Sequence, residues 1–218
     1  MSKPPALRID SDISRAWSIP ARFYVDPEVS AEERDKIFAR SWQVAGHAGQ
    51  LKHAGDFFTV ALGSEPLLLV RGAQGELRGF YNVCRHRAGP PAEGCGSRKL
   101  FRCRYHGWTY GLDGSLLSAP EFEGVQDFPS EQFALAPVRA EQWSSLVFVN
   151  LDPGADSLLK SLGELPGQAE RFGFDRMRLF ERRVYDALRA IPSGTAVSAS
   201  EKLWMVSASR ATDPSGSR

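Results

Sequence analysis

Two short runs in this sequence gather the side chains best suited to hold a transition metal. Cys84-Arg85-His86-Arg87 and Cys103-Arg104-Tyr105-His106 each offer one thiolate and one imidazole, spaced Cys-x-His and Cys-x2-His. The chain has only 3 cysteines and 4 histidines in 218 residues, so their meeting in two such runs is informative. Three cysteines cannot build a disulfide framework, and an odd count in a reducing compartment points to thiolate chemistry. Structural zinc motifs pair Cys-x2–4-Cys with His-x3–5-His, a spacing that Cys-x-His fits poorly. Binuclear iron fits better: in one kind of [2Fe–2S] centre two cysteines hold one iron and two histidines the other. Two loops that each carry both ligand types can reach both irons and grip the cluster from two sides. The expected ligands are therefore Cys84, His86, Cys103 and His106, with zinc as the competing reading.

The charges around these runs agree with that chemistry. A diferric cluster with two sulfides and two thiolates is neutral, and its reduced form carries −1. Between Cys84 and His106 lie Arg85, Arg87, Arg98, Lys99, Arg102 and Arg104 against Glu93 alone, a local +5 in a chain whose net charge is +1. Singly, each arginine reads as solvated loop surface. Together they form a positive field that favours the reduced form and attracts an acidic electron donor. Gly89, Pro90, Gly94 and Gly96 bend the chain between the runs, and Gly107 lets the backbone pass close to the metal. Cys95 lacks a histidine at ligand spacing and reads as a small buried thiol. His47 and His53 stand near strand starts with no Cys or carboxylate pattern and read as structural.

The elements that must position the two runs are short strands. Phe58, Val60 and Leu62 alternate with small or polar residues, as a half-buried strand does. A turn at Gly63-Ser64-Glu65-Pro66 leads into Leu67-Leu68-Leu69-Val70, a run suited to burial on both faces. Gly72 to Gly75 turns the chain into a strand over 77–83. Asp113-Gly114, between Tyr110 and Leu116, is a two-residue hairpin signal, and Leu146 to Val149 is one more buried strand. Ahead of them, Ser30 with Glu33 fits a capping box for a helix running to about Arg40, with Ile37, Phe38 and Trp42 as its apolar face. After Pro153, Leu158, Leu159, Leu162 and Leu165 share a helical face, ended by Gly163 or Gly167. The expected fold is mainly β, an antiparallel sandwich with an N-terminal helix and a short α-helical C-terminal lead-in. The segments are 1–41, an arm and helix; 42–152, the β domain; 153–185, the lead-in; and 186–218, a Ser/Ala-rich tail expected to be poorly ordered.

Composition excludes several classes. Hydrophobic residues make up 42% and charged residues 24%, the balance of a globular protein. A net charge of +1 gives no bias toward nucleic acid. The polar start lacks the apolar stretch of a signal peptide, and no run approaches the ~18–20 apolar residues of a membrane span. The expected location is cytoplasmic.

Trp42-Gln43-Val44-Ala45-Gly46-His47, Tyr81-Asn82-Val83-Cys84-Arg85-His86-Arg87 and Cys103-Arg104-Tyr105-His106-Gly107-Trp108 together resemble the α subunits of Rieske non-haem iron oxygenases. These are the aromatic-ring-hydroxylating dioxygenases and related quaternary-amine monooxygenases, and the resemblance runs from about Trp17 to Tyr185. It implies a three-sheet Rieske-type fold with the cluster at its tip and the histidines as the more exposed ligands. It implies a reductase or ferredoxin as electron donor, and it leaves room for a homotrimer with full-length α subunits. Respiratory Rieske proteins differ: each of their loops carries a further cysteine, joined in a disulfide, where Gly89 and Tyr105 stand here. Lacking that bridge, the potential is expected toward the lower end of the Rieske range of about −150 to +300 mV. In the family the first loop continues Arg-Gly after the histidine; here Ala88 follows Arg87. The family also carries a mononuclear iron on two histidines and a carboxylate. No histidine follows His106 here, so that Fe(II) site is expected to be missing, as from a truncated or frame-shifted reading. The expected role is then an electron-transfer domain, and the alternative an inactive truncated binding product without redox function.

Overall fold

The computed structural model of the chain describes residues 10–122, 124–180 and 205–207. Ten strands build the β domain: β1 (Gln43–His47), β2 (Asp56–Leu62), β3 (Glu65–Arg71), β4 (Leu77–Tyr81), β5 (Cys95–Ser97), β6 (Phe101–Arg102), β7 (Thr109–Tyr110), β8 (Leu116–Ser118), β9 (Pro137–Trp143) and β10 (Leu146–Asn150). Seven of them form one antiparallel sheet in the order β1-β10-β9-β4-β3-β2-β5, and β6-β7-β8 form a second. The join between β4 and β9 is slight, at Gly79–Val138 and Phe80–Pro137. Two of the three expected sheets are thus continuous, and the mainly β, antiparallel architecture is as the sequence indicates.

The buried run in β3 explains how one strand serves two cores. Leu67, Leu68, Leu69 and Val70 are all 0% exposed. Because alternate side chains point to opposite faces, Leu67 and Leu69 pack with Leu51, Phe58, Val147 and Val149. Leu68 and Val70 pack with Phe57, Phe80, Phe101, Trp108 and Tyr110, a core that also holds Cys84 and Cys103. The metal-side residues are therefore rooted in hydrophobic packing and not hung on a surface loop.

Several local expectations are adjusted. The first helix, α2 (Pro27–Glu33), follows the one-turn α1 (Arg22–Val25) and starts earlier than Ser30. Asp26 is its cap, accepting from the Glu28 N–H at 2.9 Å, with Pro27 in the first turn where its missing N–H costs nothing. Over Arg34–Phe38 the helix widens to π-type turns, and Ile37 and Phe38 stay about half exposed where a core-facing stripe was expected. Asp113-Gly114 does form a hairpin, but through a longer loop: Gly111 N–H donates to Ser115 O, and Asp113 Oδ1 accepts from the Ser115 amide and hydroxyl at 3.0 and 2.7 Å. In the lead-in, α3 (Leu158–Leu162) is capped by Ser157 and ended by Gly163, and α4 spans Leu165–Ala169. Leu158 is buried, but Leu159 and Leu165 face outward. The tail lies outside the described residues apart from β12 (Met205–Ser207), which pairs antiparallel with β11 (Arg178–Phe180).

Candidate metal centre

The two ligand runs sit on two different sheets. The first loop leaves β4 and returns toward β5 on the large sheet; the second connects β6 to β7 on the small one. Their backbones close in the same way. Cys84 N–H donates to Gly89 O at 2.9 Å, and Cys84 O accepts from Ala88 N–H at 3.0 Å. Cys103 N–H donates to Trp108 O at 2.9 Å, and Cys103 O accepts from Gly107 N–H at 3.0 Å. The residue that turns each loop has positive φ, Ala88 at 57° and Gly107 at 74°. Cys-x-His and Cys-x2-His are thus two ligand placements on one loop geometry. Asn82, itself buried, pins the base of the first loop: its side-chain N donates to Ala92 O at 2.8 Å and its side-chain O accepts from Ala92 N–H at 3.1 Å.

This symmetry brings like ligands together. Cys84 and Cys103 are 3% and 2% exposed, both free, and within hydrogen-bonding reach of one another. His86 and His106 stand with ring centroids 4.5 Å apart, half-buried at the rim. All four expected site residues therefore meet, the cysteines inside and the histidines outside. Gly89 permits the approach of the loops, since a Cβ there would lie 3.0 Å from Cys103 Sγ and 3.3 Å from Tyr105 Cβ. Among the described residues no three His, Cys, Asp or Glu side chains close on one point. The expected donors instead pair thiol with thiol and imidazole with imidazole.

The surroundings suit such a group. His86 Nδ1 is shut from water with no hydrogen-bond partner, a ring nitrogen left available to a metal. Burial, then His106 and Arg87, holds the His86 ring below its ordinary pKa and so neutral, the form that binds metal. Burial also pushes the Cys103 thiol up, while the Tyr105 and His106 backbone N–H groups aimed at its sulfur pull the other way. Tyr110, fully buried, accepts from the Arg85 N–H at 2.9 Å and lies 3.2 Å from Cys84 Sγ. Burial first, and Cys84 second, keep its phenol protonated, so its own hydrogen is available to that sulfur. Around the histidines a groove of about 950 Å³ is lined by Arg87, Arg102, Arg104 and Tyr105 among others. Among the described residues, Arg104 is the one cation of the six found in an ion pair, with Glu93 at 3.1 Å on the exposed surface.

Residues 41–129 match the family model of the Rieske [2Fe–2S] domain. The chain carries a Rieske domain of the oxygenase type. It is 42% identical over 153 residues to the carnitine monooxygenase oxygenase subunit of Escherichia coli K12, covering 70% of this chain and 40% of that one. It is 40% identical over 142 residues to the chloroplastic choline monooxygenase of Beta vulgaris, covering 65% and 32%. The quaternary ammonium Rieske monooxygenase CntA with L-carnitine superposes with a TM-score of 0.69 at 34% identity, over 76% of this chain and 48% of that one. Naphthalene 1,2-dioxygenase from Rhodococcus sp. with indole gives 0.70 at 32%, over 75% and 39%. The chain therefore spans less than half the length of these relatives.

Outside the ligand set the structure corrects the reading of Cys95, bears out that of His47, and places a carboxylate beside His53 where none was expected. Cys95 is exposed, because β5 is a sheet edge whose three residues all face solvent. His47 is structural: it is buried, its Nδ1 accepts from Gly49 N–H at 2.9 Å, and its Nε2 lies 3.2 Å from Met177 O. His53 is exposed beside Asp56. Sequence reasoning missed Tyr110, whose signal was a polar-tipped aromatic in the strand directly after a ligand loop. It also missed that Trp108 and its phenylalanine neighbours wall one side of the site. No helix among the described residues is long and apolar enough to cross a membrane.

Proposed function

We propose that Cys84, His86, Cys103 and His106 hold a [2Fe–2S] cluster that accepts one electron at a time from a reductase or ferredoxin and passes it to the mononuclear iron of an oxygenase. The observation that carries this reading is the matched closure of two ligand loops, which buries the thiols and leaves the imidazoles at the rim. The cluster supplies a reversible one-electron couple. The chain's own residues do the rest. Tyr110 and the Tyr105 and His106 amides direct hydrogens at the ligand sulfurs, while Arg87, Arg102 and Arg104 line the groove through which a donor approaches. A surface with this local charge speeds encounter with an acidic protein and loses that advantage as salt rises. Of the two oxygenase lineages, the quaternary-amine one is favoured by the carnitine and choline monooxygenases among the sequence relatives. No histidine follows His106 in these 218 residues, so the accepting iron belongs outside them. Assembly as a homotrimer with full-length α subunits and a cytoplasmic location fit this role.

The test is anaerobic reconstitution with iron and sulfide. About two irons and two sulfides per chain and a rhombic EPR signal on reduction are expected, with reduction by an acidic ferredoxin slowing as ionic strength increases. Stoichiometric zinc after reconstitution, or a protein that cannot be reduced, would overturn the reading.

A further inference from the structure

The cysteine end of the site is tied across the loops by Tyr110, but the histidine end is held differently. The three cysteines are free, so no disulfide joins the loops. Gly89, where the first loop approaches Cys103 and Tyr105 of the second, brings no side chain to that contact. The ion pair from Arg104 to Glu93 is 77% and 57% exposed, a kind that contributes little. Trp108 reaches both loops. Its backbone oxygen closes the second loop on Cys103, and its indole lies flat against His86 of the first, centroids 5.0 Å apart and planes 9° apart.

The indole cannot yield. Trp108 is 2% exposed, with Phe122, Phe128 and Phe133 set edge-on around it at 5.5, 6.0 and 5.6 Å. Those rings also pack on one another, Phe122 against Phe128 at 4.8 Å and Phe128 against Phe133 at 4.9 Å. Its Nε1 is buried without a partner, so no polar contact sets the ring, and packing alone does. His106 is treated otherwise. Its neighbour is Tyr105, at 3.7 Å and tilted by 31°, which is itself 63% exposed.

We propose that Trp108 is a positioning residue that couples the two ligand loops by clamping the ring of His86, so that the two histidines serve unequally. His86 is the fixed anchor of the cluster, and His106 is the ligand left adjustable at the surface where partners meet. The inference rests on the cluster assignment above. It adds that the flat face of the residue, and not its bulk, is what the first loop needs.

Three variants separate face from bulk in the reconstituted 218-residue chain. Trp108→Phe keeps a flat face and removes the unpartnered N–H; iron release to a chelator and the EPR g-values should stay close to wild type. Trp108→Met fills space without a face. Its iron release should be faster by roughly three- to tenfold, the equilibrium equivalent of one aromatic pair, with shifted or broadened g-values. Val147→Ala, in the core on the opposite face of β3, should lower the melting temperature while leaving both readouts unchanged. Wild-type release and g-values in Trp108→Met, or an equal acceleration in Val147→Ala, would overturn the clamp. If Trp108→Met does not fold, pulsed EPR on the wild type decides. One nitrogen coupling should be sharply oriented and the other spread, and two equally broad couplings would count against the proposal. A wild-type protein without iron and sulfide would sink the cluster assignment and the clamp together; a loaded wild type with an indifferent Trp108→Met would sink the clamp alone.

Discussion

Replacing Tyr110 by Phe removes one oxygen atom from the wall of the site and should lower the reduction potential of the cluster. The hydroxyl accepts from Arg85 N–H at 2.9 Å, so its own hydrogen is left for Cys84 Sγ at 3.2 Å. On reduction the cluster gains a negative charge that its sulfurs share, and a hydrogen bond to a charged group is worth about 1.5–3 kcal/mol against about 0.5–1.5 for a neutral pair. The differential is about 1–1.5 kcal/mol in favour of the reduced state. With a tenfold change in a one-electron equilibrium worth about 59 mV, Tyr110→Phe should lower the potential by roughly 45–65 mV. The ring remains, so no cavity opens. The Arg85 N–H loses its acceptor, which costs about 1–3 kcal/mol of stability if it stays buried. Protein-film voltammetry on the reconstituted chain measures the potential, and iron content confirms equal loading. A potential unchanged or raised in a fully loaded variant would refute the reasoning, because the hydroxyl would then not be donating to sulfur.

Ala88 turns the first loop at φ 57°, a conformation that costs an L-residue about 1–2 kcal/mol. After the entropy a glycine adds to the unfolded chain, Ala88→Gly should stabilise by about 0.5–1 kcal/mol, and Gly107→Ala, at φ 74°, should do the opposite; paired melting curves check both signs. Cys84→Ser or Cys103→Ser should abolish the visible iron–sulfur absorption, whereas Cys95→Ser, on an exposed edge strand, should keep it. The Ser115 hydroxyl and amide hold the Asp113 carboxyl below its ordinary value of 3.8. Its stabilisation is therefore complete above that value and fades as pH falls through the lower, folded one. On this exposed turn the effect is a few tenths of a kcal/mol after screening, and the melting-temperature gap between wild type and Asp113→Asn should narrow in acid.

The sequence by itself determined the choice of candidate ligands, because soft thiolates and imidazoles at Cys-x-His and Cys-x2-His leave few metals to choose from. It also determined the strand grammar. Leu67 to Val70 could be read as a strand buried on both faces, since alternation carries four apolar side chains to two opposite cores. What it could not carry was proximity between sheets. Cys84 and Cys103 meet because one loop rides on the large sheet and the other on the small one, and that juxtaposition depends on packing between Phe57, Phe101 and Tyr110. Cys95 failed for the same reason: a cysteine's burial depends on whether its strand has a neighbour, and β5 has none on its outer side. The helix start moved to Asp26 because an aspartate before proline competes locally with a serine one turn later. The roles of Tyr110 and Trp108 are tertiary altogether. Local sequence gives an aromatic residue its bulk, and only the fold decides whose sulfur or whose imidazole it faces.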